Sequence, residues 1–312
     1  MKKRIHLLIV IGALLIGLLI GSFYDLQINQ AIFSEKNGFS LFLASFGGYP
    51  AYAGLAFAAG GAYAATMKRK DLHIVMKVLS YIAATCAYLL SIYFCGKEFP
   101  SPEGINISGL EPLSYGVCAV IFAGVAVWGY FVCRKGDAKQ LWPILVVLAC
   151  VYVICLGTTG YLFKLIVHRP RYRYAVRLED TAFYNWWQPF TEYKDHIGHV
   201  VNGVTLDKEE FRSFPSGHSG TSMLLAMFLP YASYFFPKLK GKETYLFYGG
   251  VLYTAMMMFS RMLAGAHYLT DVCMGALIVI VVYYVFNEFA YRKGFFDEPK
   301  NEEIPSTLEN EN

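Results

Sequence analysis

Charge is what this chain has least of. Only 16% of its 312 residues are Asp, Glu, Lys or Arg, against roughly 25% in soluble domains, and that scarcity excludes an ordinary soluble domain. The seven cysteines form no C-x-x-C pair and no Cys/His ligand spacing, so neither a disulfide framework nor a zinc site is indicated. They lie inside or at the ends of apolar runs, as small helix-packing residues do. No internal repeat and no second domain is visible. What is abundant is hydrocarbon, with 56% hydrophobic and 17% aromatic residues, and the net charge of +4 is too small to imply a nucleic-acid partner.

A helix needs roughly 20 apolar residues to cross a bilayer, and eight uncharged runs qualify: about 5–24, 42–66, 74–95, 112–133, 141–163, 218–236, 244–261 and 269–290. The first follows Lys2-Lys3-Arg4 as a secretory signal would, but it continues to Tyr24 with no A-x-A site after it, which predicts a retained anchor. With a cytoplasmic amino terminus, the basic connections at Lys68-Arg69-Lys70, Arg134-Lys135 with Lys139, Lys238 to Lys242, and Arg292-Lys293 all fall inside, as the positive-inside rule expects. The connections 25–41 and 96–111 carry one lysine each. The outer connection 164–217 breaks the pattern with Lys164, His168, Arg169, Arg171, Arg173 and Arg177. Basic residues on the disfavoured side need a functional reason, and binding phosphate supplies one. A loop this long is usually functional or disordered, and the segment Phe183 to Trp187 reads as interfacial anchoring. The tail after Phe296 is polar, acidic and expected to be disordered.

Three separated segments carry the chemistry. Pro215-Ser216-Gly217-His218 precedes an apolar run, so it should open the sixth span, where unpaired backbone N–H groups and the positive helix end attract anions. Ser216 either adds a hydroxyl donor or serves as an ordinary helix cap. Ser260-Arg261 close the seventh run, and His267 and Asp271 open the eighth span. Four residues apart on one helical face, this His and Asp can pair, which fixes the tautomer and leaves the other ring nitrogen as a nucleophile. Lys164 and Arg171 either face one point or snorkel toward headgroups. His267, Asp271 and His218 could also ligate a metal, but Lys164, Arg171 and Arg261 point to an anion instead. His196 and His199 have no comparable pattern and read as ordinary loop residues.

These residues in this order resemble the type 2 phosphatidic acid phosphatase superfamily, which also includes soluble vanadium haloperoxidases. The family pattern is K-x6-R-P, P-S-G-H, then S-R-x5-H-x3-D. The second and third elements match in full, the first at Lys164 and Arg171, and Tyr172 stands where proline is usual. The resemblance covers about residues 141–290. It implies that His267 attacks phosphorus while Asp271 orients it, that His218 protonates the departing oxygen and then helps activate water, and that Lys164, Arg171, Arg261, Ser216 and Gly217 hold the phosphate oxygens. No metal or organic cofactor is implied.

The expected fold is therefore all-α, a polytopic transmembrane bundle of about eight spans, in which a six-helix phosphatase core is joined by an amino-terminal helix pair. Residues 1–110 would hold three spans, 111–291 the phosphatase region and 292–312 a cytoplasmic tail. The expected activity is hydrolysis of a lipid phosphate or pyrophosphate, undecaprenyl pyrophosphate first, at an extracytoplasmic site of the cell membrane. A lipid phosphotransferase would use the same intermediate. A non-enzymatic transporter would have no need of two histidines and an aspartate.

Overall fold

In the computed structural model, which describes residues 2–100, 109–178, 183–191, 193–201 and 204–292, helices stand at all eight places where a span is expected. The acidic tail lies outside the described residues. Helix α1 (Lys2–Ile32) runs without interruption because no proline breaks it. The second run is shared by α2 (Gly38–Phe46) and α3 (Tyr49–Lys68). Asn37 caps α2, accepting from the amides of Phe39 and Ser40 at 3.0 and 3.3 Å, and Pro50 sits in the first turn of α3, where a missing N–H costs nothing. Helices α4 (Ile74–Glu98), α5 (Glu111–Lys135) and α6 (Ala138–Gly157) follow. Beyond α6 the chain loosens into a π turn at Thr158–Leu162 and a 3-10 turn at Phe163–Leu165.

The long connection contains α7 (Tyr172–Leu178) and α8 (Tyr193–His196). The sixth run is divided between α9 (Gly217–Phe228) and α10 (Ala232–Phe235), and α11 (Glu243–Leu263) and α12 (Leu269–Arg292) follow. Among the described residues six stretches are long and apolar enough to cross a membrane: Ile5–Ile32, Gly38–Lys68, Ile74–Glu98, Glu111–Lys135, Ala138–Leu165 and Leu269–Arg292. The sixth and seventh expected spans fall short for separate reasons. Helix α9 gives way at Leu229–Tyr231, where Pro230 cannot continue the α ladder. Helix α11 is long enough, but Glu243, Arg261 and three tyrosines dilute its hydropathy.

Alanines fill the interior, with Ala56, Ala226 and Ala276 fully buried, so helices approach closely as they do in membrane bundles. Large apolar side chains such as Leu8, Leu19, Phe23, Val120 and Phe289 point outward, as a hydrocarbon solvent permits. A close approach brings α12 onto the start of α9, where a Cβ on Gly275 would overlap the Ser216 carbonyl. Five of the cysteines are buried and none is paired.

The bundle has two unlike ends. At one, the Lys68 ammonium donates to the carbonyls of Arg134 and Gly136 at 3.2 and 2.6 Å, and the Arg69 guanidinium lies over the Trp142 ring, so the first two basic turns sit together. At the other, the long connection folds into a cap with its own small core of Tyr174, Phe190, Leu206 and Phe211. A two-residue hairpin, β1 (Val200–Val201) and β2 (Val204–Thr205), pairs antiparallel within it, with Val200 opposite Thr205. The Trp186 indole N–H donates to the Ser22 hydroxyl on α1 at 3.0 Å, tying the cap to the first helix.

Candidate active site

Helices α1, α4, α6 and α11 bring their C-terminal ends to the cap, and α2, α9 and α12 bring their N-terminal ends. All eight residues predicted for the site lie at these ends or in the turns beside them. His267 precedes α12 and is 1% exposed. It is reached from α11 through a turn at Gly265, whose φ of +63° suits glycine. The Arg261 carbonyl accepts from the amides of Ala266 and His267 at 3.1 and 3.3 Å, so that turn holds cation and imidazole together.

The imidazole meets Asp271 at ion-pair distance and not in a direct hydrogen bond. Its Nδ1 lies 2.5 Å from the carbonyl oxygen of Ser213 and 3.9 Å from the Asp271 carboxylate. The expected pairing assumed that both residues are helical. His267 lies ahead of the helix, whereas Asp271 occupies its first turn and accepts there from the Tyr268 amide at 2.8 Å. A carbonyl can only accept, so Nδ1 carries the proton and Nε2 keeps the lone pair. Asp271 reaches the imidazole indirectly, by accepting from the Ser213 hydroxyl.

Arg169, noted in the sequence only for its loop, is the centre of this support. Its guanidinium is fully buried. It donates to Asp271 Oδ1 at 2.5 Å, Thr270 Oγ1 at 2.8 Å, Asp25 Oδ2 at 2.9 Å and the Tyr184 carbonyl at 2.8 Å, and it stacks 4.1 Å over the Tyr268 ring. Burial opposes its charge, but Asp271 and Asp25 outweigh that and raise its pKa. Asp25 on α1 also accepts from the amide and hydroxyl of Thr270. One turn along α1, the Asn29 amide donates to the His267 carbonyl at 3.1 Å. Neither Asp25 nor Asn29 belongs to a motif, although a carboxylate closing an apolar run is a signal in itself.

The anion-binding candidates divide into two groups. Arg261 is fully buried and donates through Nη2 to the Ser40 carbonyl at 2.5 Å. Arg171 donates through Nε to the Glu209 carbonyl at 2.6 Å, and its Nη2 lies 4.0 Å from the Glu209 carboxylate. Lys164, on the 3-10 turn, acts on the same carboxylate. Burial pushes Glu209 up, but Arg171, Lys164 and Arg212 together hold its carboxyl below the ordinary range. The lysine and arginine seven positions apart therefore converge on one point, which a carboxylate marks.

Ser216 caps α9, its oxygen accepting from the Ser219 amide at 3.4 Å and the Ser219 hydroxyl at 3.1 Å. Gly217 is the first residue of α9, and a Cβ there would meet open space. His218 follows, with Nε2 4.0 Å from Oε1 of Glu98, at the end of α4. Tyr172, in place of the family proline, is the first residue of α7, a position where proline is also tolerated. Its ring packs edge-on against Phe33 and Tyr268, with centroids 5.2 and 6.3 Å away. Among the described residues no group of three His, Cys, Asp or Glu is placed to hold a metal ion. His196 accepts or donates at the Tyr174 hydroxyl at 3.1 Å and belongs to the packing of the cap.

Fold and site together define an all-α polytopic membrane protein with buried cations and two imidazoles gathered at one end. The chain belongs to the PAP2 superfamily, whose model matches residues 140–295, a stretch that holds every predicted site residue. Membership supports a phosphatase-type enzyme. No curated protein and no solved structure matches it. Asp25, Asn29, Ser40 and Glu98 lie outside the matched stretch.

Proposed function

We propose that this protein is a membrane lipid phosphatase that hydrolyses a lipid phosphate or pyrophosphate through a phosphohistidine. The observation that carries this reading is the Nδ1 contact of His267 with the Ser213 carbonyl at 2.5 Å, which leaves Nε2 as a neutral nucleophile at the end of the bundle where the cations gather. Nε2 attacks phosphorus as the bond to the departing oxygen breaks, and His218 supplies that oxygen with a proton. Water then attacks the phosphohistidine, His218 takes its proton, and the N–P bond breaks to regenerate the imidazole. Lys164, Arg171 and Arg261, with the Ser216 hydroxyl and the Gly217 amide, neutralise the equatorial oxygens, the electrostatic work that phosphoryl transfer rewards.

The site is assigned to the extracytoplasmic face because the basic turns that would lie inside are at the other end of the bundle. A polyprenyl pyrophosphate such as undecaprenyl pyrophosphate is the first substrate assigned, by analogy with the family. Residues 111–291 would form the phosphatase region and 1–110 the helices that brace it. The test is release of free phosphate from a panel of lipid phosphates and pyrophosphates, without acceptor lipid and with chelator present. Wild-type turnover is expected to survive chelator and the His267→Ala variant to lose at least about 10³-fold in kcat. Undiminished turnover by that variant would overturn the nucleophile assignment, and loss on chelation would overturn the metal-independent reading.

A further inference from the structure

His218 has a demanding task. It must arrive protonated to serve the departing oxygen, yet it stands at the positive end of α9 in a site furnished with Lys164, Arg171 and Arg261. Each of these disfavours an imidazolium. A carboxylate on the other side of the ring would offset them, and one is present. Glu98 Oε1 lies 4.0 Å from His218 Nε2, an ion-pair distance, and the two side chains are 16% and 18% exposed. The same oxygen accepts from the Tyr52 hydroxyl on α3 at 2.5 Å, so the carboxylate is held in place by a residue outside the motifs.

We propose that Glu98 is the positioning residue of His218, a carboxylate that orients this imidazole and keeps its proton available for the departing oxygen. The catalytic part of the inference rests on the phosphatase reading above. In the first half-reaction the ring proton passes to the bridging oxygen as the P–O bond breaks and the N–P bond to His267 forms. In the second, the proton of the attacking water returns to the ring as the N–P bond breaks. Glu98 keeps its charge through both. That charge is also felt by Tyr52 on α3, Tyr152 on α6, Tyr253 on α11 and Cys95 on α4.

The experiment has two arms on the full chain in detergent micelles. The first follows histidine 13Cε1 resonances against pH without substrate, with His218→Asn to assign the signal. In Glu98→Gln the His218 pKa is expected to fall by about one unit or more, in Tyr52→Phe by less, and in Glu98→Asp to return toward wild type. An unchanged His218 pKa in a folded Glu98→Gln overturns the proposal. The second compares an alkyl lipid phosphate with 4-nitrophenyl phosphate, whose leaving group needs no proton. Glu98→Gln should lower kcat on the alkyl ester by about 10²-fold while leaving the aryl ester nearly unaffected, and should move the basic limb of the alkyl pH profile to lower pH. Equal losses on both esters would mean a merely structural role and sink it. If the wild type hydrolyses neither ester, the phosphatase reading fails, and the titration still decides whether the pair exists.

Discussion

His267 owes its tautomer to a main-chain oxygen, which no substitution removes directly. Ser213 therefore offers two separable handles, a carbonyl that takes the imidazole proton and a hydroxyl that reaches Asp271. Ser213→Ala keeps the first and deletes the second. One lost hydrogen bond to a charged group is worth about 1.5–3 kcal/mol, so kcat is expected to fall by about 10- to 100-fold with KM little changed, measured as phosphate release. Asp271→Asn should cost more, because it also weakens the partner of a buried arginine. Had Asp271 oriented the imidazole alone, Ser213→Ala would be silent. The sequence brings out the residues His267 and Asp271 but not the serine between them, since that link joins positions 58 residues apart and leaves no periodic trace.

At the scale of elements, α1 has two characters. Most of its apolar run faces outward, with 17% of that window buried, while its last two turns carry Asp25 and Asn29 into the site. Asp25→Ala leaves Arg169 with half of its compensation in a fully buried place. Breaking such a pair costs about 3–5 kcal/mol, so a clear loss of thermal stability is expected, together with loss of phosphate release although no motif is altered. Full activity in a folded Asp25→Ala would show that α1 only covers the site. Apolar length and the absence of charge make the helices legible in the amino-acid sequence, because both are local properties. The division of the sixth span into α9 and α10 is less so. A single proline in an apolar run reads as tolerable in a membrane helix, and only packing decides that it ends α9.

At the scale of the whole molecule, the described part of the cap carries a group whose charge links its order to pH. The Glu209 carboxyl is held below the ordinary range despite burial. A depressed folded-state value stabilises the folded form fully above the unfolded pKa near 4.3, and that contribution is lost as pH falls through the folded value. Hydrogen exchange across Phe190 to Phe211 should accordingly lose protection below about pH 4. In Glu209→Gln that pH dependence should flatten, and an unchanged profile would place the acid sensitivity elsewhere. The folding of this cap is not legible in the sequence, because its core of Tyr174, Phe190, Leu206 and Phe211 has neither helical nor strand periodicity.

The cap also changes how its basic run should be counted. Arg169, Arg171 and Arg173 stand at every second position, and each has its own acid: Asp25 and Asp271 for the first, Glu209 for the second and Glu210 for the third, the last at 3.0 Å. In the linear chain this stretch looks like an offence against the charge rule that orients membrane proteins. In the folded one Arg169 and Arg173 are tightly paired within the protein, so the positive field that a headgroup meets is narrowed toward Lys164, Arg171 and Arg261.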